Sequence, residues 1–255
     1  MLEFVLVWAA VGLIAQFIDG TLGMAYGVSA STALISIGVS SAMASASVHT
    51  AEVVTTLASG TSHLKFGNVD RKMALRLLIP GVLGGIVGAI VSTSVSGTPL
   101  SVIVGFVLLT MGIIIVIKFL RRNHASVSTS NPSSKTLVPL GLAAGFSDAL
   151  GGGGWGPIAT TTLVANNVKT NCAIGSVNFA EFFVTTAETI TFMVLIGPSN
   201  FNWLIVLGLM AGGLVCAPLA AWMCRKLPHR ILGVFVGATV ILLSIRMILE
   251  FSGLV

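Results

Sequence analysis

FIDGTLGMAYG, residues Phe17–Gly27, and FSDALGGGGWG, residues Phe146–Gly156, decide how this chain is read. Both are Gly-rich interruptions of long apolar stretches. Both open on Phe-x-Asp and close on an aromatic residue followed by Gly. The second lies 129 positions after the first (148 − 19 = 129). Without a gap, the same offset maps Gly12 on Gly141, Leu34 on Leu163, His49 on Asn178, Glu52 on Glu181, Thr56 on Thr185, Gly84 on Gly213 and Phe106 on Phe235. A register held over most of each half indicates an internal duplication. Apolar segments broken by Gly at matching places in two halves point to a transporter binding site.

Working outward, the 255 residues are 55% hydrophobic and only 8% charged. A soluble domain carries about 25% charged residues, so the composition is that of an integral membrane protein and excludes a globular enzyme. The net charge of +5 comes without a basic arm or interleaved aromatics, which argues against a nucleic-acid partner. Cys172, Cys216 and Cys224 show no metal spacing and fall on Met43, Val87 and Val95 under the repeat, so they read as small packing residues and no metal is expected at them. The opening MLEFVLVWAA lacks the basic n-region of a cleavable signal, and the first segment is expected to be retained.

Residues 2–38 would span about 55 Å as one helix, against a hydrocarbon core of about 30 Å. The Gly-rich break therefore divides them into helices at 2–18 and 27–38. Further helices are expected at 43–66, 73–95 and 100–120. RRNHASVSTSNPSSKT, residues 121–136, reads as a polar Ser-rich linker on the cytoplasmic side. It separates membrane repeat 1 (residues 1–120) from membrane repeat 2 (residues 137–255). Repeat 2 predicts helices at 137–147, 156–166, 170–196, 202–224 and 229–250, with Pro198 and Pro228 in loops and Pro80 and Pro218 kinking spans.

The basic residues give the sidedness. If each broken segment is a re-entrant hairpin, 12 of the 13 Lys and Arg fall on one side and only Arg246 lies toward the other. If the broken segments cross fully, the Lys65–Arg76 and Arg225–Arg230 groups face opposite compartments. The positive-inside rule selects the hairpins. The expected fold is all-α and integral to the membrane, with two inverted repeats. Each has a re-entrant broken-helix hairpin and three full transmembrane helices, and both termini face outside.

In that arrangement the short helices direct backbone N–H groups and positive dipole ends at the membrane centre. Candidate substrate-binding residues at the breaks are Asp19, Thr21, Tyr26 and Gly27, with Asp148, Gly153, Gly154, Trp155 and Gly156. Glycine lets backbone approach a ligand closely. Tyr26 and Trp155 either wall the site or pack between helices. Asp19 and Asp148 either contact substrate or cap the loop amides. The helix at 43–66 places Ser45, His49, Glu52, Thr56, Ser59 and His63 at spacings of 4, 3, 4, 3 and 4, one helical face. Its twin carries Asn178, Glu181, Thr185 and Glu188 at 3, 4 and 3. Carboxyls inside a membrane mark function, which singles out Glu52 and Glu181. With His49 they are the candidate proton-coupling residues, since an anion entering between two ionised carboxylates would be repelled. His49 and Asn178 also count as candidate substrate contacts, and His63, beside Lys65, is expected at the interface.

The runs FIDGTLGMAYG, ASASVHTAE, SGTSH and GNVD, with GGGGWGP in the second half, resemble the TauE/SafE sulfite-exporter family, also called the toluene-sulfonate uptake permeases. The resemblance covers both repeats. It implies a multi-pass transporter of the cell inner membrane, not an enzyme, carrying a small sulfur-containing anion such as sulfite or an organosulfonate. Proton coupling and alternating access around a midplane site are the expected mechanism. No cofactor is expected; the partners are the anion, protons and lipid. The first break, GMAYG from Gly23 to Gly27, departs from the family's glycine cluster, so the two half-sites are unequal. A cation transporter, with sodium or a divalent metal on Asp19, Glu52, Asp148, Glu181 and Glu188, is the alternative.

Overall fold

The computed structural model describes residues 2–95, 98–120, 132–166, 168–224 and 226, with isolated positions between 234 and 249. It holds helices α1 (Leu2–Leu22), α2 (Tyr26–Ser36), α3 (Ser41–Lys65), α4 (Arg71–Ser94), α5 (Thr98–Leu120), α6 (Ser134–Gly151), α7 (Trp155–Ala165), α8 (Thr170–Ile196) and α9 (Trp203–Met223). A 3-10 turn at Pro198–Asn200 precedes α9, and no strand occurs among the described residues. The helix expected at 229–250 falls largely outside the described residues, as do Pro228 and residues 121–131 of the linker. Ser134–Thr136, expected in the linker, form the first turn of α6.

Each break is narrower than the sequence suggests. The helices do not end at residues 18 and 147 but run on to Leu22 and Gly151. Their last bonds are Gly23 N–H to Asp19 C=O and Gly152 N–H to Asp148 C=O, both 2.6 Å. Gly23 and Gly152 then take φ values of 69° and 71°. Glycine adopts this left-handed turn without a Cβ penalty, and it stops the helix. The two Asp residues, expected inside the breaks, therefore lie in the last helical turn before them. Only three residues separate the helices in each half, Gly23–Ala25 and Gly152–Gly154.

Helix partners are exchanged between the halves. α1 lies along α9, and α6, its counterpart under the 129-residue offset, lies along α4, the counterpart of α9. α3 lies along α8 in the middle, flanked by α4 on one side and α9 on the other. Small residues make these approaches close. A Cβ on Gly212 would meet the Ala9 carbonyl oxygen; one on Gly84 would meet that of Leu142, and one on Gly145 that of Gly81. Close small-residue contact is how helices associate in lipid, where burial of apolar surface gives no gain. The outward faces are apolar instead. On α4, Leu75, Ile79, Leu83, Val87 and Ile90 are all exposed, a stripe suited to acyl chains. Among the described residues, four helices are long and apolar enough to cross a membrane: Glu3–Leu22 of α1, α4, α8 and α9. α2 and α7, at 11 residues each, are about 16 Å long and cannot cross alone. Pro80 and Pro218 lie inside α4 and α9 as expected, and Pro139 inside α6.

Candidate functional site

The two breaks meet at the centre of the molecule. Ser31 Oγ of α2 donates to the Gly152 carbonyl at 2.9 Å, and Thr160 Oγ1 of α7 donates to the Gly23 carbonyl at 2.6 Å. Ser31 and Thr160 are repeat counterparts, as are Gly152 and Gly23, so each short helix clasps the opposite break by the same bond. The glycines fit this clasp. A Cβ on Gly27 would meet the Gly152 carbonyl oxygen, and one on Gly156 would meet Met24 Cα at 2.5 Å. Gly153 abuts the backbone of Val28 and Gly27, and Gly154 that of Ser147. In this closed arrangement the space beside each of the four glycines is filled by protein.

The aromatic residues close the breaks from the sides. Tyr26 is 2% exposed, and its hydroxyl donates to the Leu209 carbonyl at 3.1 Å. Trp155 is wholly buried, and its ring N–H donates to the Val177 carbonyl at 3.1 Å. Asp148 Oδ1 accepts the Trp155 backbone N–H at 3.0 Å, and the Asp19 carboxyl engages the Tyr26 backbone in the same way. Each Asp thus caps the N-terminus of the following short helix, satisfying a donor that has no partner within the helix. Thr21 Oγ1 turns back on its own helix, to the carbonyls of Phe17 at 2.7 Å and Ile18 at 3.0 Å.

The polar faces of α3 and α8 point at one another. Ser45, His49, Glu52, Thr56 and Ser59 are buried, as are Asn178, Glu181, Thr185 and Glu188. Thr56 Oγ1 and Thr185 Oγ1, counterparts under the offset, lie 3.5 Å apart. Ser59 Oγ donates to Asn178 Oδ1 at 2.6 Å, and Asn178 lies beside Asp19. His63, expected at an interface, is completely buried, with Nδ1 3.1 Å from Asn68 Nδ2; the Gly67 turn folds Asn68 back over it.

His49 gathers the charges. Ser45 Oγ donates to the Ala149 carbonyl at 2.7 Å, so its proton is spent. His49 Nδ1 lies 2.7 Å from the Ser45 carbonyl oxygen, an acceptor, and 3.2 Å from Ser45 Oγ. Nδ1 therefore carries a proton. Nε2 on the other side of the ring lies 2.9 Å from Glu188 Oε2, 3.4 Å from Asp148 Oδ2 and 4.0 Å from Glu52 Oε2. The Phe192 ring stacks on the imidazole, centroids 6.0 Å apart. Glu181 is buried within the same field of carboxyls, near Asp19, Glu52, Asp148 and Glu188, and is not one of the ion partners of His49.

Of the residues named from sequence, His49, Glu52 and Asp148 come into one cluster with Glu188. Tyr26, Gly27, Gly153, Gly154, Trp155 and Gly156 come together at the clasp. Glu188 lies on the recognised polar face and belongs to the carboxyls of the cation alternative, but is not among the expected anion-binding or proton-coupling residues. Ser31 and Thr160 were not singled out either; their matched position at five residues after each aromatic was the available signal.

The family model described as sulfite exporter TauE/SafE matches residues 8–247, both repeats and both breaks. The chain belongs to the TauE/SafE family. The probable membrane transporter protein YtnM of Bacillus subtilis (strain 168) is 41% identical over 248 residues, covering 96% of this chain and 83% of its own. This TauE/SafE protein is thus a multi-pass membrane transporter of the cell membrane and not an enzyme.

Proposed function

We propose that this TauE/SafE protein carries a small sulfur-containing anion, sulfite or an organosulfonate, by alternating access around the two breaks, with proton coupling through Glu52 and Glu181. The observation that carries the reading is the clasp. The N-termini of α2 and α7 enter it from the two repeats, and each is already capped by a carboxylate, Asp19 or Asp148. Helix N-termini held by carboxylates accept other oxyanions by the same N–H groups. The Gly27, Gly153, Gly154 and Gly156 backbones come within reach of such a ligand once the clasp parts. Hydroxyls from Ser31, Thr160 and Ser59 and the amide of Asn178 complete a set of neutral donors. The inverted arrangement of the repeats, with residues 1–120 and 137–255 rocking about α3 and α8, is part of the proposal. Its support is the exchanged pairing of α1 with α9 and α6 with α4.

Coupling follows from charge. Glu52 and Glu181 are 2% and 4% exposed, and a substrate anion approaching two ionised carboxylates in a poorly hydrated site meets strong repulsion. Anion and proton therefore bind together, and His49 sets the field that Glu52 feels. The test is uptake of labelled sulfite or sulfonate into proteoliposomes under an imposed pH gradient. Glu52→Gln and Glu181→Gln, which mimic the neutral acid, should keep substrate exchange and lose gradient-driven accumulation. Full pH-driven accumulation in both variants would show that neither glutamate carries the proton.

A further inference from the structure

His49, Asp148 and Glu188 come from three different helices, α3, α6 and α8, yet one donor atom from each lies within 4.8 Å of the others. We propose that His49 Nε2, Asp148 Oδ2 and Glu188 Oε2 form a binding site for one divalent first-row transition-metal ion. The assignment rests on this cluster alone and not on the identity of the transported anion.

The spacings suit a single ion. Donors at about 2.1 Å from a metal stand about 3.4 Å apart at a tetrahedral edge and about 3.0 Å apart at an octahedral one. Nε2 stands 3.4 Å from Asp148 Oδ2 and 2.9 Å from Glu188 Oε2. The ring is aimed from outside the cluster. The Ser45 carbonyl holds Nδ1–H at 2.7 Å, so the lone pair of neutral imidazole sits on Nε2, facing the carboxylates. A backbone carbonyl on the far nitrogen is the usual support of a metal-binding His.

A second observation points to a ligand. Glu52 Oε2 is 4.0 Å from Nε2, on a side chain 3% exposed, and no donor reaches it. Glu188 is completely buried, and its Oε1 has no donor either. Gly85 of α4 makes room for this carboxyl, since a Cβ there would meet Glu188 Oε1 at 2.5 Å. Buried charges are paired or coordinate metals. Five carboxyls, Asp19, Glu52, Asp148, Glu181 and Glu188, are buried here, and no Lys or Arg is buried among the described residues. One imidazole cannot offset them; a divalent ion goes further. The nitrogen donor favours a borderline metal over sodium, calcium or magnesium. Such an ion would sit beside Asp148, which caps α7, and so would bring to the clasp a positive charge that no side chain there supplies.

The test is cobalt binding to the untagged, detergent-solubilised full chain after stripping with EDTA. Titration should give one Co²⁺ per chain with a visible ligand-field absorption, displaced by Zn²⁺ and indifferent to excess Na⁺. Glu188→Gln and Asp148→Asn should each weaken binding by about 100-fold or more, while His63→Gln, outside the cluster, keeps one equivalent. X-ray absorption at the cobalt edge of the unmutated protein should show one imidazole among oxygen ligands, which frees the result from the folding of any variant. No saturable Co²⁺ site, an all-oxygen shell, or binding that Glu188→Gln and Asp148→Asn leave unchanged would overturn the proposal. His49 would then be an imidazolium paired with Glu188. No sulfur anion enters this experiment, so its failure is separate from failure of the transport assay.

Discussion

Ala25 is the one non-glycine residue with positive φ among the described residues, at 90°. Its counterpart in the second break is Gly154, at φ −87°. An L-residue in the left-handed region carries about 1–2 kcal/mol of strain, and glycine returns part of that through its greater freedom in the unfolded chain. Ala25→Gly is therefore expected to stabilise the protein by up to about 1 kcal/mol, seen as a higher thermal midpoint; an unchanged or lower midpoint would mean that the turn is not strained. Ser31 and Thr160 make the opposite case. Ser31→Ala and Thr160→Val each leave a buried carbonyl of the facing break without its donor, at a cost of about 1–3 kcal/mol. Because the two hydroxyls hold different breaks, the double variant should lose about the sum of the two in a denaturation series. A third expectation concerns charge. In metal-stripped protein, where the clasp offers only neutral donors, competition assays should rank singly charged sulfonates above sulfate, and tighter binding of sulfate would contradict the anion site proposed here.

At the scale of helices, α3 and α8 were the most legible. Spacings of three and four put Ser45, His49, Glu52, Thr56 and Ser59 of α3 and Asn178, Glu181, Thr185 and Glu188 of α8 on one face each, and a face carrying carboxyls in an apolar chain has only the interior to turn to. The breaks were visible, but their edges were not. Asp19 and Asp148 looked like loop residues, whereas Gly23 and Gly152 end the helices because only they take the left-handed turn cheaply. Glu188 is legible as a carboxyl on the polar face of α8 but its pairing with His49 is not, because these two have unlike counterparts, Ser59 and Asn178, while Asp148 and Glu52 match Asp19 and Glu181. The clasp escaped for another reason. A lone Ser or Thr in an apolar helix ordinarily bonds its own preceding turn, as Thr21 does, and nothing in the chain says that Ser31 and Thr160 reach across instead. The helix contacts themselves are testable. Gly212→Leu on α9 would drive a side chain into the Ala9 backbone of α1 and should abolish recovery of monodisperse protein. Leu214→Ala, on the exposed side of α9, should not.

For the whole molecule, the one-sided basic residues predict that the linker faces the cytoplasm. A cysteine placed at Ser128 should react with an impermeant thiol reagent only after cells are permeabilised; labelling of intact cells would reverse the topology. Because α1 pairs with α9 and α6 with α4, the halves 1–120 and 137–255 expressed as separate chains should recover transport together and neither alone. That exchanged pairing also bears on synthesis at the ribosome. α1 emerges first, and its partner begins 181 residues after it ends (203 − 22 = 181); being apolar, it can wait in lipid. α3 cannot wait so easily. It leaves the translocon with His49 and Glu52 in mid-helix, a position where charged side chains such as Asp, Lys and Arg cost about 2.5–3.5 kcal/mol, and α8 starts 105 residues after it ends (170 − 65 = 105). Until then its polar face has no permanent shelter, and a nascent chain stalled in the linker presents the cell's membrane proteases with an exposed buried-charge helix.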